Sequence, residues 1–278
     1  MLASTSLKQA EASLSAAGIV SAAAEAELLM CHALEISRGE LATQLILDTE
    51  LKAPSGFFDL VELRCTRVPL QHITGKAPFR SIELIVGKGV FIPRPETEQV
   101  VQVAIDFLAL LPGEPRALDI GTGSGAIAIS IAKETNAKVT AIELSIAAAE
   151  FARANISALE ANVDLLVGDF MELIGGLPQF DLIISNPPYI PNTMVPLDQE
   201  VRDYDPAQAL YGGEDGLDIV RDLVASTKLI LRDGGLLVLE HADGQSDSIC
   251  ELLLENNWRR IQVHPDPTGR LRAVSATA

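Results

Sequence analysis

Aromatic side chains are scarce in this chain, at 4% with a single tryptophan. The core must therefore be built from Ala, Leu, Ile and Val. Cysteines number three, Cys31, Cys65 and Cys250. They are far apart and odd in number, which argues against a disulfide framework and for a reducing compartment. The histidines, His32, His72, His241 and His264, lack metal-ligand spacing, so no metal site is expected. Basic charge is short: 21 Lys and Arg stand against 38 Asp and Glu, a formal net charge of −17. A protein that grips long stretches of RNA or DNA needs a basic footprint. A protein or small-molecule substrate is favoured instead. No apolar run reaches the roughly 18 residues that a membrane helix requires. The N-terminus carries Glu11, Glu25 and Glu27, with no basic region leading into an apolar one, so no signal peptide is expected. These absences together predict a cytoplasmic protein without direct contact to membrane or nucleic acid.

What is present is globular material: 278 residues, 48% apolar and 21% charged. Residues 1–67 are rich in Ala, Leu and Glu. Leu7, Ala10, Leu14 and Ala17 repeat at helical spacing, with Gly18 as the stop. Ser21 is a candidate N-cap for a second helix with an apolar face at Ala24, Leu28, Cys31 and Leu34. A further helix is predicted from about 56 to 67. The character changes at Pro69. Residues 79–86 and 90–92 flank Gly87-Lys88-Gly89 and read as a β-hairpin with a glycine turn. From residue 96 helices and strands alternate: helix 97–111, strand 116–120, helix 124–135, strand 138–143, helix 146–158, strand 163–167, strand 180–185, helix 216–231, strand 235–240 and helix 246–257. Alternation of this kind predicts a parallel sheet with helices on both faces. Residues 260–264 and 271–274, joined by Pro265–Gly269, read as a closing antiparallel pair. The expected organisation is a helical domain over 1–75, a hairpin linker over 76–95 and an α/β domain over 96–278.

The first chemical signal follows the strand at 116–120. Asp119, Gly121, Thr122, Gly123, Ser124 and Gly125 lie in a glycine-rich loop that opens a helix. Glycine lets backbone approach a ligand and take strained turns. Glu143 ends the next strand and is placed to accept from two ribose hydroxyls. Both features fit a dinucleotide as well as S-adenosyl-L-methionine. Asp119 favours the latter, because a carboxylate beside the loop repels a pyrophosphate and suits a cationic cofactor. Asp169 and Phe170 follow the third strand, where they can bind an adenine amine and pack on the base. Gly121, Glu143, Asp169 and Asn186 all mark carboxyl ends of predicted parallel strands, the edge where open α/β sheets bind ligands.

The second signal is Asn186-Pro187-Pro188-Tyr189, directly after the apolar run 180–185. Two prolines stiffen the turn and remove two backbone donors, while their carbonyls remain acceptors. The product is a rigid cradle that accepts hydrogen bonds from a planar –NH2 group and offers the Tyr189 ring to stack on it. No acid, base or metal is built in. That suits methylation of a poorly nucleophilic amide or amine nitrogen, where positioning carries the chemistry.

The order of these blocks resembles the S-adenosylmethionine-dependent methyltransferases that act on amide or amino nitrogens. Pro69–Gly75, Phe91–Glu98, Asp205-Pro206 with Ala209–Gly213, and Leu239-Glu240-His241 extend the likeness to the protein-(glutamine-N5) methyltransferases of peptide chain release factors, the HemK/PrmC type. The resemblance covers nearly the whole chain from about residue 60 and is weak over the first 55. Glu143 stands where Asp is more usual, and Phe170 where another aromatic occurs. The resemblance implies a Rossmann-like class I methyltransferase sheet, mostly parallel with an antiparallel last strand, preceded by a helical substrate-docking domain and a β-hairpin connector. It implies S-adenosyl-L-methionine as cofactor and the glutamine of the Gly-Gly-Gln motif of release factors as acceptor. Asn186, Pro187, Pro188 and Tyr189 would then hold that glutamine. The rivals are a nucleic-acid amine methyltransferase, opposed by the acidic charge; a non-enzymatic adapter, which needs no such cradle; and an NAD enzyme, which leaves residues 186–189 unexplained.

Overall fold

The computed structural model describes residues 1–47 and 50–278. The helical segment runs α1 (Ala3–Ala16), α2 (Ala22–Leu34), α3 (Arg38–Ile46), α4 (Phe57–Cys65) and the short α5 (Leu70–Thr74). The hairpin strands are β1 (Lys76–Phe79) and β2 (Ile82–Ile85). Then come α6 (Pro95–Leu108), β3 (Arg116–Ile120), α7 (Ala126–Glu134), β4 (Lys138–Glu143), α8 (Ile146–Ala158), β5 (Val163–Val167), α9 (Phe170–Leu173) and β6 (Phe180–Ser185). The chain closes with α10 (Gln199–Tyr204), α11 (Ala207–Leu210), α12 (Asp218–Ser226), β7 (Leu231–Glu240), α13 (Ser246–Glu255), β8 (Arg259–Pro265) and β9 (Leu271–Thr277).

The chain divides into two compact units. The smaller comprises Met1–Lys76 together with Pro196–Tyr204, and the larger Ala77–Val195 with Asp205–Ala278. The smaller unit buries Ala3, Ala10 and Leu14 of α1 against Ala26, Leu29 and Met30 of α2 and Phe57 and Val61 of α4. The buried stripe of α2 is thus Ala22, Ala26, Leu29, Met30 and Cys31, rather than the face through Ala24 and Leu28. In an alanine-rich helix the small side chains leave the phase of the apolar face ambiguous, and packing decides it. Ser21 stands at the N-cap but its hydroxyl donates to Glu25 instead of capping the backbone. The complete capping box is at α3, between Ser37 and Glu40. Arg64 is buried and pairs with Glu25 at 2.5 Å and with Glu200 at 2.8 Å, which ties residues 196–204 to α4 within this unit.

The larger unit is a seven-stranded sheet of order β5-β4-β3-β6-β7-β9-β8, parallel except for β9. Period-2 alternation sends successive residues to opposite faces. Leu182, Ile184, Leu236 and Val238 meet α6, α7 and the hairpin on one side. Leu118, Ile183, Leu237 and Leu239 meet α12 and α13 on the other. The hairpin differs from the sequence expectation. Its strands are 76–79 and 82–85, and its turn is Arg80-Ser81, not Gly87–Gly89. Arg80 takes φ +49°, normally glycine territory. It is held there by Glu134 at 2.7 Å, Gln102 at 2.9 Å and the Glu98 carbonyl at 2.9 Å. Its strands pack Ala77, Phe79, Ile82 and Leu84 into the core of the larger unit. β7 also starts earlier than expected, at Leu231, with a register shift opposite Phe180/Leu182 that takes in Gly234-Gly235.

Candidate active site

The carboxyl ends of β3, β4 and β6 lie side by side, because Ile120 pairs with Ile142 on one flank and with Ser185 on the other. The loop after β3 is held by its own backbone. Gly121 and Thr122 donate to the Ile142 carbonyl at 2.9 and 3.0 Å, and Gly123 donates to Glu143 Oε2 at 2.7 Å. Gly121, Gly123 and Gly125 all have positive φ. A Cβ at Gly121 or Gly123 would meet nothing within 4 Å, so there is open room over these two residues. At Gly125 it would stand 2.9 Å from Ile129, which makes that glycine a packing requirement of α7.

Glu143 accepts one backbone N–H on each oxygen, from Gly123 and from Ser145 at 2.8 Å. A carboxylate oxygen has two lone pairs, so each retains an acceptor site. Asp169 caps α9 through Oδ1, accepting from Met171 at 2.8 Å. Phe170 is buried in the core against the sheet rather than projecting from it. Asp119 is likewise turned inward and fully buried. Its Oδ2 accepts from the Thr122 hydroxyl at 2.6 Å and from Ala128 N–H at 3.1 Å, while Oδ1 has no partner. Burial pushes its carboxyl up to about 7 against these two hydrogen bonds, with the Glu143 charge adding to the rise. Thr122 and Ser124 are buried as well, and the Ser124 carbonyl accepts from Asn155 on α8 at 2.9 Å. Asp119, Thr122 and Ser124 therefore brace the loop from beneath; the exposed edge is Gly121 and Gly123.

At the end of β6, the buried Ser185 hydroxyl donates to the Ile120 carbonyl at 2.7 Å and pins this strand to β3. Asn186 follows, half-buried, with its Nδ2 3.4 Å from Thr97 Oγ1 on α6. Among the described residues no donor reaches the Pro187 carbonyl. The next two carbonyls are covered from behind. Gly212 lies so close that a Cβ there would stand 2.3 Å from the Pro188 oxygen, and one at Gly216 would stand 2.2 Å from the Tyr189 oxygen. Gln245 Nε2 donates to that Tyr189 oxygen at 3.0 Å. Burial raises the Tyr189 phenol well above its ordinary value, so the ring is a neutral surface near neutral pH. Among the described residues the Asn186 side-chain oxygen and the Pro187 carbonyl thus have no protein donor.

Comparison with known proteins fits this geometry. Residues 5–75 match the family described as PrmC N-terminal domain, and residues 98–198 the methyltransferase small domain. A release factor glutamine methyltransferase of Mycolicibacterium smegmatis is 41% identical over 98% of this chain and 96% of its own. The one from Streptomyces coelicolor is 43% identical over 96% and 95%, and that of Deinococcus radiodurans 38% over 97% and 96%. The chain belongs to the release factor glutamine methyltransferase family. The family's methyltransferase fold is also seen in a Thermus thermophilus 16S rRNA guanine-N2 methyltransferase solved with AdoMet and guanosine. It superposes with a TM-score of 0.52 at 19% identity, over 73% of this chain and 49% of its own.

Several residues that pack around this loop and turn carried no role in the sequence reading. Thr97 and Glu240 sat inside noticed blocks, Phe91–Glu98 and Leu239–His241, without a stated task. Gly212 likewise belonged to the block Ala209–Gly213. Asn155, which holds Ile85 and the loop at once, and Gln245 gave no signal, since each acts across a long stretch of chain.

Proposed function

We propose that this protein transfers a methyl group from S-adenosyl-L-methionine to the side-chain nitrogen of the Gly-Gly-Gln glutamine in peptide chain release factors. The observation that carries the reading is the rigid tip at Asn186-Pro187, with its two free acceptors, at the end of the strand beside the open Gly121–Gly123 loop. The cofactor fits the residues present. The room over Gly121 and Gly123 admits a ligand against the backbone, and the spare lone pairs of Glu143 suit ribose hydroxyls. Asp119, fully buried with its carboxyl raised to about 7, braces the loop from beneath and offers the ligand no standing charge. When bound, the sulfonium supplies an electrophilic methyl.

An amide nitrogen is a poor nucleophile because its lone pair is delocalised into the carbonyl. Asn186 Oδ1 and the Pro187 carbonyl accept its two N–H bonds, fix the nitrogen in line and raise its electron density. Tyr189 packs on the amide plane. Positioning of this kind supplies up to roughly 7–11 kcal/mol of barrier reduction. Asn186 cannot act as a base, so the proton leaves to solvent after attack. In this reading the enzyme works in the cytoplasm, and the helical unit selects the protein partner.

Mass spectrometry of a purified release factor incubated with the enzyme and S-adenosylmethionine tests the reading. One added methyl on the Gly-Gly-Gln glutamine is expected. Methylation of competing RNA or DNA in place of the factor would transfer the reading to a nucleic-acid amine.

A further inference from the structure

Two sequence blocks without an assigned task, Phe91–Glu98 and Leu239–His241, converge on one atom group: the side-chain amide of Asn186. Thr97 opens α6 and is buried, with its hydroxyl 3.4 Å from Asn186 Nδ2. Glu240 ends β7, the sheet neighbour of β6, and is 2% exposed. Its carboxylate faces the Thr97 hydroxyl and the Asn186 amide as hydrogen-bond donors, and its Oε2 has no close partner. A carboxylate in a nearly dry position is costly to keep. Nothing in the packing of β7 requires it, since Leu237 and Leu239 fill one face and Leu236 and Val238 the other.

We propose that Glu240, with Thr97, is a positioning residue that fixes which end of the Asn186 amide meets the substrate. The inference rests on the methyl-transfer reading above. An asparagine side chain can present either its oxygen or its –NH2, and the two ends are nearly the same shape. Acceptance of the glutamine N–H requires the oxygen outward. An ionised carboxylate accepts hydrogen bonds and cannot donate them, so Glu240 draws Nδ2 inward and leaves Oδ1 for the substrate. Once protonated it gains an O–H donor, and the inward position no longer discriminates between the two ends.

The groups around Glu240 come from each neighbouring element. Thr97 and Glu96 come from α6, Arg272 from β9, Asn186 and Tyr189 from the turn after β6, and His241 directly follows Glu240 beyond the end of β7. Burial raises the Glu240 carboxyl to about 7, opposed by Thr97, Arg272 and Asn186 and assisted by Glu96. Burial keeps His241 below its ordinary value, with Nδ1 2.7 Å from the Ala242 carbonyl. The sign follows: the active form is ionised, so kcat falls as pH falls through about 7.

The test measures kcat for release-factor methylation at saturating cofactor across the neutral range, in wild type, Glu240→Gln, Thr97→Val and Thr97→Ser. Saturation removes any contribution of Asp119 to cofactor affinity. Wild type should show an acid limb. Glu240→Gln should lower kcat by about tenfold to a hundredfold, leave cofactor affinity within about twofold, and lose the limb. Thr97→Val should lower kcat and Thr97→Ser restore it. A wild-type profile that is flat through neutrality overturns the proposal, as does a limb that survives Glu240→Gln or full activity in Thr97→Val. If Glu240→Gln does not fold, the wild-type profile and the Thr97 pair still decide. Failure of wild type to methylate release factor at all sinks the underlying reading instead.

Discussion

Gly212→Ala adds one methyl group at the back of the Asn186–Tyr189 turn. Gly212 does not have positive φ, so the substitution introduces no backbone strain, and its effect is one of space alone. The new Cβ would stand 2.3 Å from the Pro188 oxygen and 2.8 Å from the Gly216 oxygen, whereas ordinary contact begins at 3.4 Å. Both obstacles are backbone, so no side chain can swing aside. The turn must retreat by about 1 Å, or the 212–216 loop must. Overpacking of this size costs about 1–3 kcal/mol of stability. A displacement of about 1 Å at the acceptor cradle costs on the order of a hundredfold in rate. The assay is single-turnover methyl transfer to release factor, with cofactor affinity by calorimetry and the unfolding midpoint measured alongside. Cofactor affinity should hold, because the Gly121–Gly125 loop is held by β3 and β4 and not by residue 212. Gly175→Ala and Gly176→Ala are matched controls, with nothing within 4 Å of either added methyl and no positive φ. A folded Gly212→Ala enzyme with wild-type turnover would refute the view that close backbone packing sets the cradle.

Asn186→Ala should reduce turnover by about a hundredfold or more while cofactor affinity stays within a few fold, since its contact is made to the acceptor; near-normal single-turnover rates would disprove it. Glu143→Ala should weaken S-adenosylmethionine binding by about 1.5–3 kcal/mol per lost charged hydrogen bond. Calorimetry giving an unchanged affinity would place the ribose contact elsewhere. Glu240 also predicts a stability effect. Its folded value of about 7 lies above the ordinary 4.5, so the stability it contributes is full in acid and lost as pH rises through about 7. The shift corresponds to roughly 3 kcal/mol. Glu240→Gln should therefore gain urea resistance relative to wild type at alkaline pH, and an unaltered pH dependence of the midpoint would count against it. A chain that begins at Lys76 should still bind cofactor but methylate release factor with a raised KM. An unchanged kcat/KM would leave the helical unit with a stability role only.

The strands that position the site were legible because their sequences are simple. Residues 116–120, 138–143, 163–167 and 180–185 are apolar runs bounded by turn signals, and each forms the strand expected. The Gly121–Gly125 loop and the Asn186 turn stand where the sequence placed them for the same reason, since both follow strand ends. The hairpin was misplaced because Gly87-Lys88-Gly89 is the stronger local turn signal. The actual turn at Arg80 depends on Glu98, Gln102 and Glu134, supplied from α6 and α7. Thr97, Glu240 and Gln245 went without roles because their tasks arise from convergence: Thr97 meets Asn186 across 89 residues and Gln245 meets Tyr189 across 56. Asp119 stands beside the loop but points down into the protein, an orientation decided by Thr122 and Ala128 and not by spacing.

The allocation of Pro196–Tyr204 to the helical unit bears on synthesis. Chains emerge from the ribosome N-terminus first, and domains generally fold as units. Here the helical unit lacks Glu200, the partner of Arg64 and Arg67, until the first four parallel strands have also been made. Arg64, buried in the finished protein, must wait for half its counter-charge. The first-made part of the chain is thus completed late in translation, and a nascent chain paused before residue 196 holds helices that are packed but not yet locked.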